Sequence, residues 1–255
     1  MPIDKLLESA AFYWTMDNHR NIYNEMGSDY GIASTEATTI KGIRGKAVKV
    51  YRGSNTFTLN EGLPPNECLF NTSQCTNGFT LMLWVWYRHN DLGQVFLDSS
   101  GGSHTGHKMF QANTNSPQVA FQIASPNKNC KVIFPTPKEI WTHYTLCYTS
   151  PDDLGNIKIF QNGKEVEDFV FKGCSNGSFS VSDVTRMSIG DPQGQLPEAA
   201  FDEIIIWYRS LTSADIATAY DYYRGKISIV INSFYLMIKC EIGRASCRER
   251  VCQYV

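Results

Sequence analysis

The sequence predicts an all-β fold, a two-sheet antiparallel sandwich with one short helix at its C-terminal end. Three observations predict it. Short apolar runs recur along the chain, separated by turn-rich spacers and showing no helical period. One run, FTLMLWVWY at 79–87, is apolar on both faces, as a central strand covered from two sides must be. The stretch 201–222 joins a two-faced strand (Ile204, Ile205, Ile206, Trp207) to a capping box, Thr212-x-x-Asp215. It then enters an amphipathic helix whose stripe of Ile216, Ala219, Tyr220 and Tyr223 needs a sheet to lie on.

In chain order, an apolar strand at 10–16 (AAFYWTM) precedes a polar, glycine-containing stretch to Gly31. Two short strands broken at Gly53 follow, carried by Ala47, Val48, Val50 and Tyr51 and then by Phe57 and Leu59. A loop containing Pro64, Pro65 and two cysteines feeds the 79–87 strand. GQVFLDSS, HKMFQAN, QVAFQIAS, CKVIFP and WTHYTLCYTS supply further strands with the even spacing of a sandwich or jelly roll. In NIKIFQNGKEVEDFVF, Asn162-Gly163 offers a turn with positive φ between two alternating runs. That is a hairpin with Ile157 and Ile159 on one side and Lys158, Lys164, Glu165 and Glu167 in solvent. The run VTRMSIG and the loop DPQGQLPEA lead into the final strand.

The 255 residues, 42% hydrophobic, suit one large all-β domain. A net charge of -2 with no basic block argues against nucleic acid as a partner. Residues 1–7 lack a basic start followed by an apolar run, so no signal peptide is visible. The segment KISIVINSFYLMIK, at 226–239, has an apolar core well short of the ~20 residues that span a bilayer, so no membrane insertion is expected within this chain. EIGRASCRERV, at 241–251, back-translates without a mismatch into an in-frame short-read sequencing adapter. The expected organisation is therefore a leader at 1–9, one domain at 10–224, and a non-domain, artefactual tail at 225–255. The domain is expected to be a fragment of a larger multidomain protein.

AFYWTMDN, GKAVKVYRG, CTNGFTLMLWVWY, WTHYTLCYTS, IKIFQNGKEV, MSIGDP and FDEIIIWYRSLTSADIATAY resemble, in that order, the laminin-G-like jelly roll of the concanavalin A-like lectin/glucanase superfamily, of which the pentraxins are a branch. The resemblance covers roughly residues 10–224. It implies two antiparallel sheets stacked face to face, displayed outside cells and used for adhesion or for binding protein or glycan through rim loops. Two other activities on this fold are a calcium-dependent, pentraxin-like lectin and a glycoside hydrolase.

Each candidate site has a plainer alternative. Calcium, the one candidate cofactor, takes six to eight oxygens, and the loop after Gly190 offers only Asp191, Gln193 and Glu198, with Pro192 between them. A polar turn without metal is the favoured reading. Asp202 and Glu203 read as structural partners at the end of the core strand. His104 and His107 form His-x-x-His in a glycine-rich loop, but zinc would need a third ligand that the sequence does not place. His143 alternates with core residues in its strand and faces solvent or a neighbour. Retaining glucanases present two carboxylates about 5 Å apart; the nearest run, Glu165-Val166-Glu167-Asp168, lies beside an exposed turn and lacks a third carboxylate in register. No catalytic residues are expected. Cys68 with Cys75 is the first disulfide candidate and Cys130 with Cys174 a second, which leaves Cys147 as a buried thiol. Asn71 and Asn176 head glycosylation sequons in turn-rich loops. Trp84, Trp86, Trp141 and Trp207 read as packing, with Tyr222 and Tyr223 the more exposed aromatic pair.

Overall fold

A computed structural model describes residues 1–27, 30–32, 37–51, 57–59, 67–88, 94–100, 104–113, 116–150, 156–180, 186–189 and 198–225. Its elements are α1 (Ile3–Glu8), β1 (Phe12–Trp14), β2 (Asn21–Tyr23), β3 (Tyr30–Ile32), β4 (Thr38–Lys41), β5 (Lys46–Val50), β6 (Phe57–Thr58), β7 (Phe79–Tyr87), β8 (Val95–Asp98) and β9 (Gly106–Asn113). They continue with β10 (Gln118–Ala124), β11 (Lys128–Pro135), β12 (Thr142–Tyr148), β13 (Lys158–Gln161), β14 (Lys164–Glu165), β15 (Phe171–Asn176), β16 (Ser188–Ile189), β17 (Ala199–Trp207) and helical residues 213–225, here α2.

Two antiparallel sheets result. Sheet A runs β14-β13-β12-β7-β17-β5-β4, with β1 also pairing β17, and sheet B runs β15-β11-β10-β9-β8-β16-β6-β3-β2. The two strands read as apolar on both faces, β7 and β17, lie side by side in the middle of sheet A. Their alternation sorts side chains into two cores. Leu81, Leu83, Val85, Tyr87, Phe201, Ile204 and Ile206 point between the sheets. Met82, Trp84, Ile205 and Trp207 point outward, beneath Leu6 of α1 and Ile216, Ala219 and Tyr223 of α2.

The helix starts as its capping box requires. Asp215 N donates to Thr212 Oγ1 at 3.1 Å, and Thr212 Oγ1 donates to Asp215 Oδ2 at 2.8 Å. Helix α1 has no counterpart in the sequence reading. Its Leu6 is fully buried and accepts a hydrogen bond from Trp207 Nε1 at 2.9 Å through its carbonyl. Tyr223 packs as its place on the helical stripe predicts and does not form an exposed pair with Tyr222. It lies buried on the stripe of α2, donating to the Tyr13 hydroxyl at 3.3 Å, while Tyr222 stays half-buried beside Arg44.

Strand β17 carries a bulge. Asp202 pairs Trp84 and Ile205 pairs Met82, so an extra residue is absorbed between them, with Glu203 at φ 50°. On its other side β17 pairs β5 before the bulge and β1 after it. The two bulge carboxylates fill this fork, as their structural reading anticipated. Asp202 Oδ2 accepts from Ile43 N at 2.7 Å and Arg44 N at 3.2 Å, holding the β4–β5 turn, while Glu203 Oε2 accepts from the Tyr13 hydroxyl of β1. Burial, with the neighbouring Glu203 charge, pushes the Asp202 carboxyl up to about 8, and burial pushes Glu203 up to about 7.

Among the described residues, two disulfides join Cys68 to Cys75 and Cys130 to Cys174, and Cys147 is a buried free thiol. These are the two candidate pairs, which the sequence alone does not choose over other connectivities.

Candidate functional site

Among the described residues, the outer face of sheet A is covered at one end and open at the other. At the covered end Tyr220 of α2 stacks on Trp84 with ring centroids 5.7 Å apart and meets the His143 ring at 5.5 Å. Of the two expected orientations His143 takes the one toward a neighbour: it is fully buried, and neither ring nitrogen has a hydrogen-bond partner among the described residues. Burial lowers it to about 3, so it stays neutral.

Two residues along β7, the described residues of α1 and α2 no longer cover the sheet. Register places Thr38 of β4, Lys49 of β5, Ala200 of β17 and Trp86 of β7 in one row across four strands. Their chain neighbours Val48, Val50, Val85, Tyr87, Ala199 and Phe201 fill the core between the sheets, so the row faces outward. Trp86 is half-buried, and Tyr51, just past β5, is 39% exposed. The small Ala200 side chain lets Lys49 reach across: its ammonium lies 4.8 Å from the Tyr51 ring centroid and 5.4 Å from that of Trp86. The same ammonium meets Glu198 Oε1 at 3.3 Å, and Arg88 Nη1 reaches that oxygen at 3.5 Å. Partial burial alone would raise the Glu198 carboxyl, but the bonds and charges of Lys49 and Arg88 outweigh it and hold the group below its usual range. Arg88 also faces Glu139 at 4.0 Å, and Ile140 beside it is 59% exposed. Aromatic rings, two cations, two carboxylates and an apolar side chain thus share one open surface.

Of the rim residues singled out in the sequence, Glu198 stands at this surface and is engaged by the two cations, while Asp191 and Gln193 lie outside the described residues. Among the described residues, no group of three or more His, Cys, Asp or Glu side chains is arranged to hold a metal ion. His104 and His107 do not converge. His104 bonds Ser180 Oγ, whereas buried His107 bonds Leu69 O and the Tyr148 hydroxyl and stacks on Phe79 at 3.9 Å. The two sequons differ as well: Asn176 is exposed, whereas Asn71 is 5% exposed and caps a short 3-10 turn. Lys49, Tyr51 and Arg88 escaped the sequence reading, because only the strand register brings them to Trp86.

A sandwich of this order, with a helix closing one sheet, is a laminin-G-like jelly roll, and a laminin G family model of the Concanavalin A-like lectin/glucanases superfamily matches residues 65–217. The chain belongs to that family. It is similar to the human Adhesion G-protein coupled receptor D1, 22% identical over 231 residues that make up 89% of this chain and 25% of the receptor. The chain thus spans about a quarter of that relative's length. In fold it is similar to the binding domain of Paraclostridial Mosquitocidal Protein 1, with a TM-score of 0.63 and 13% identity over 86% of this chain and 53% of that one. The binding domain of Botulinum Neurotoxin DC in complex with SialylT gives 0.61 and 12% identity over 86% and 52%.

Proposed function

We propose that this chain is a non-catalytic extracellular recognition module, part of a longer protein, and that it engages a protein or glycan through the open end of sheet A and the adjoining rim. The observation that carries this reading is the Thr38–Lys49–Ala200–Trp86 row with Tyr51, Arg88 and Glu198 gathered on it. Trp, Tyr and Arg are the residues that dominate binding energy at recognition surfaces. A ring with one face against the sheet and the other toward solvent also stacks on a sugar at little entropic cost. The disulfides fit an oxidising compartment. The likeness to an adhesion receptor and to toxin binding domains supports the same reading.

The test is a glycan array and a cell-surface binding screen run with the native chain and with Trp86→Ala. Loss of binding in the variant at unchanged melting temperature supports the surface; equal binding by both moves the site elsewhere. Calcium titration with a thermal-shift readout separates the pentraxin-like alternative, which requires a shift at millimolar calcium. Turnover of a β-glucan panel would favour a hydrolase.

A further inference from the structure

Among the described residues, sheet B ends in an open edge. Strand β15 is its last member, and among the described residues it pairs only with β11, from Lys128↔Asn176 to Ile133↔Phe171. Its outer backbone groups form a template onto which another strand can add. The usual protections are thin, since β15 (FKGCSN) has one charged residue, Lys172, and no proline. Val170 and Phe171 are 54% and 46% exposed beside it. The strand's far end is the sequon Asn176-Gly177-Ser178, with Asn176 and Ser178 both exposed.

We propose that Asn176, and not Asn71, carries an N-linked glycan, and that this glycan shields the open edge of β15 from pairing with other chains. The inference rests on the extracellular reading above. In the step, Nδ2 of Asn176 forms a bond to the anomeric carbon of an oligosaccharide carried on a lipid diphosphate. The anomeric C–O bond to the diphosphate breaks, the lipid diphosphate leaves, and one amide proton passes to solvent. Asn176 can present Nδ2 because its side chain stands at a strand end in solvent, followed by glycine. Asn71 cannot, because its side chain is 5% exposed at the cap of a 3-10 turn, and Thr72 next to it is fully buried. A glycan at Asn176 projects from the edge strand of sheet B, whereas the proposed recognition surface belongs to sheet A.

The test is to secrete the full chain from a eukaryotic cell behind an added signal sequence, so that the outcome does not depend on where the native chain resides. Glycopeptide mass spectrometry is expected to find the glycan on Asn176 and a bare Asn71. Asn176→Gln and Ser178→Ala, the second of which leaves the asparagine in place, each remove one glycan's mass; Asn71→Gln removes none. A bare Asn176, or a glycan on Asn71, overturns the assignment. Sedimentation of the Ser178→Ala protein against the glycosylated form should show about twofold or more self-association, reversed by adding Phe171→Lys. Equal self-association of both overturns the shielding role. Binding through Trp86 should not change in Ser178→Ala, so failure here and failure of the recognition surface are read separately.

Discussion

Trp84 and Trp86 sit on the same strand, on the same face, two residues apart, yet they differ in what covers them. Trp84 lies beneath Tyr220, against His143, inside the outer core that α1 and α2 close. Trp86 is half-buried and outside the helix-covered cluster of described residues, with the Lys49 ammonium over its ring. The same residue type on the same sheet is structural at one end and available at the other. Among the described residues it is the helix lying over one of them, not the pattern of the strand, that draws the line between them.

The comparison can be broken or sharpened by substitution. Trp84→Ala should cost about 3–5 kcal/mol by emptying a buried aromatic site and lower the melting temperature by roughly 10 °C. Tyr220→Ala should cost about 2 kcal/mol, since Tyr220 is only part-buried. It should also let the His143 ring titrate closer to its ordinary value from about 3, as histidine NMR would show. If His143 kept its low value, Tyr220 would not be its cover.

The acid pair tests the covered end through pH. Asp202 and Glu203 have folded values near 8 and 7 against ordinary values of 3.8 and 4.5. Between about pH 4 and 8 the folded state therefore holds protons that the unfolded state has released. The stability this gives is full below pH 4 and is lost as pH rises through 7 to 8, so the melting temperature should fall by several degrees from pH 5 to pH 8.5. Asp202→Asn keeps an acceptor for Ile43 N and Arg44 N and should flatten that profile; an unchanged slope would place the titration elsewhere. At the open end, Trp86→Ala and Lys49→Ala should each cost less than about 1 kcal/mol. These two changes should nonetheless weaken ligand binding about tenfold or more.

Much of this was legible in the sequence, for reasons of period. The two-faced runs at 79–87 and 204–207 could only be central strands, the Asn162-Gly163 pair could only be a tight turn, and the Thr212/Asp215 box opens the helix it predicts. Helix α1 was not legible, because six residues with one buried leucine carry no usable periodicity and fold only against Trp207. Nor was the distinction between Trp84 and Trp86, because alternation assigns a face and says nothing about how far along that face a helix extends. Lys49, Ala200 and Glu198 are distant in sequence from Trp86 and meet it only through register.

The hairpin turn has a second task. Gly163, at φ 75°, lies directly beneath Tyr220, and a Cβ placed there would come within 2.7 Å of that ring. The helix thus rests on the tip of the β13–β14 hairpin, so its docking depends on the geometry of that turn. Native-state hydrogen exchange should find in α2 an opening of lower free energy than global unfolding. In that opened form the sandwich persists while Trp84 and His143 face water, and the covered end briefly resembles the open one.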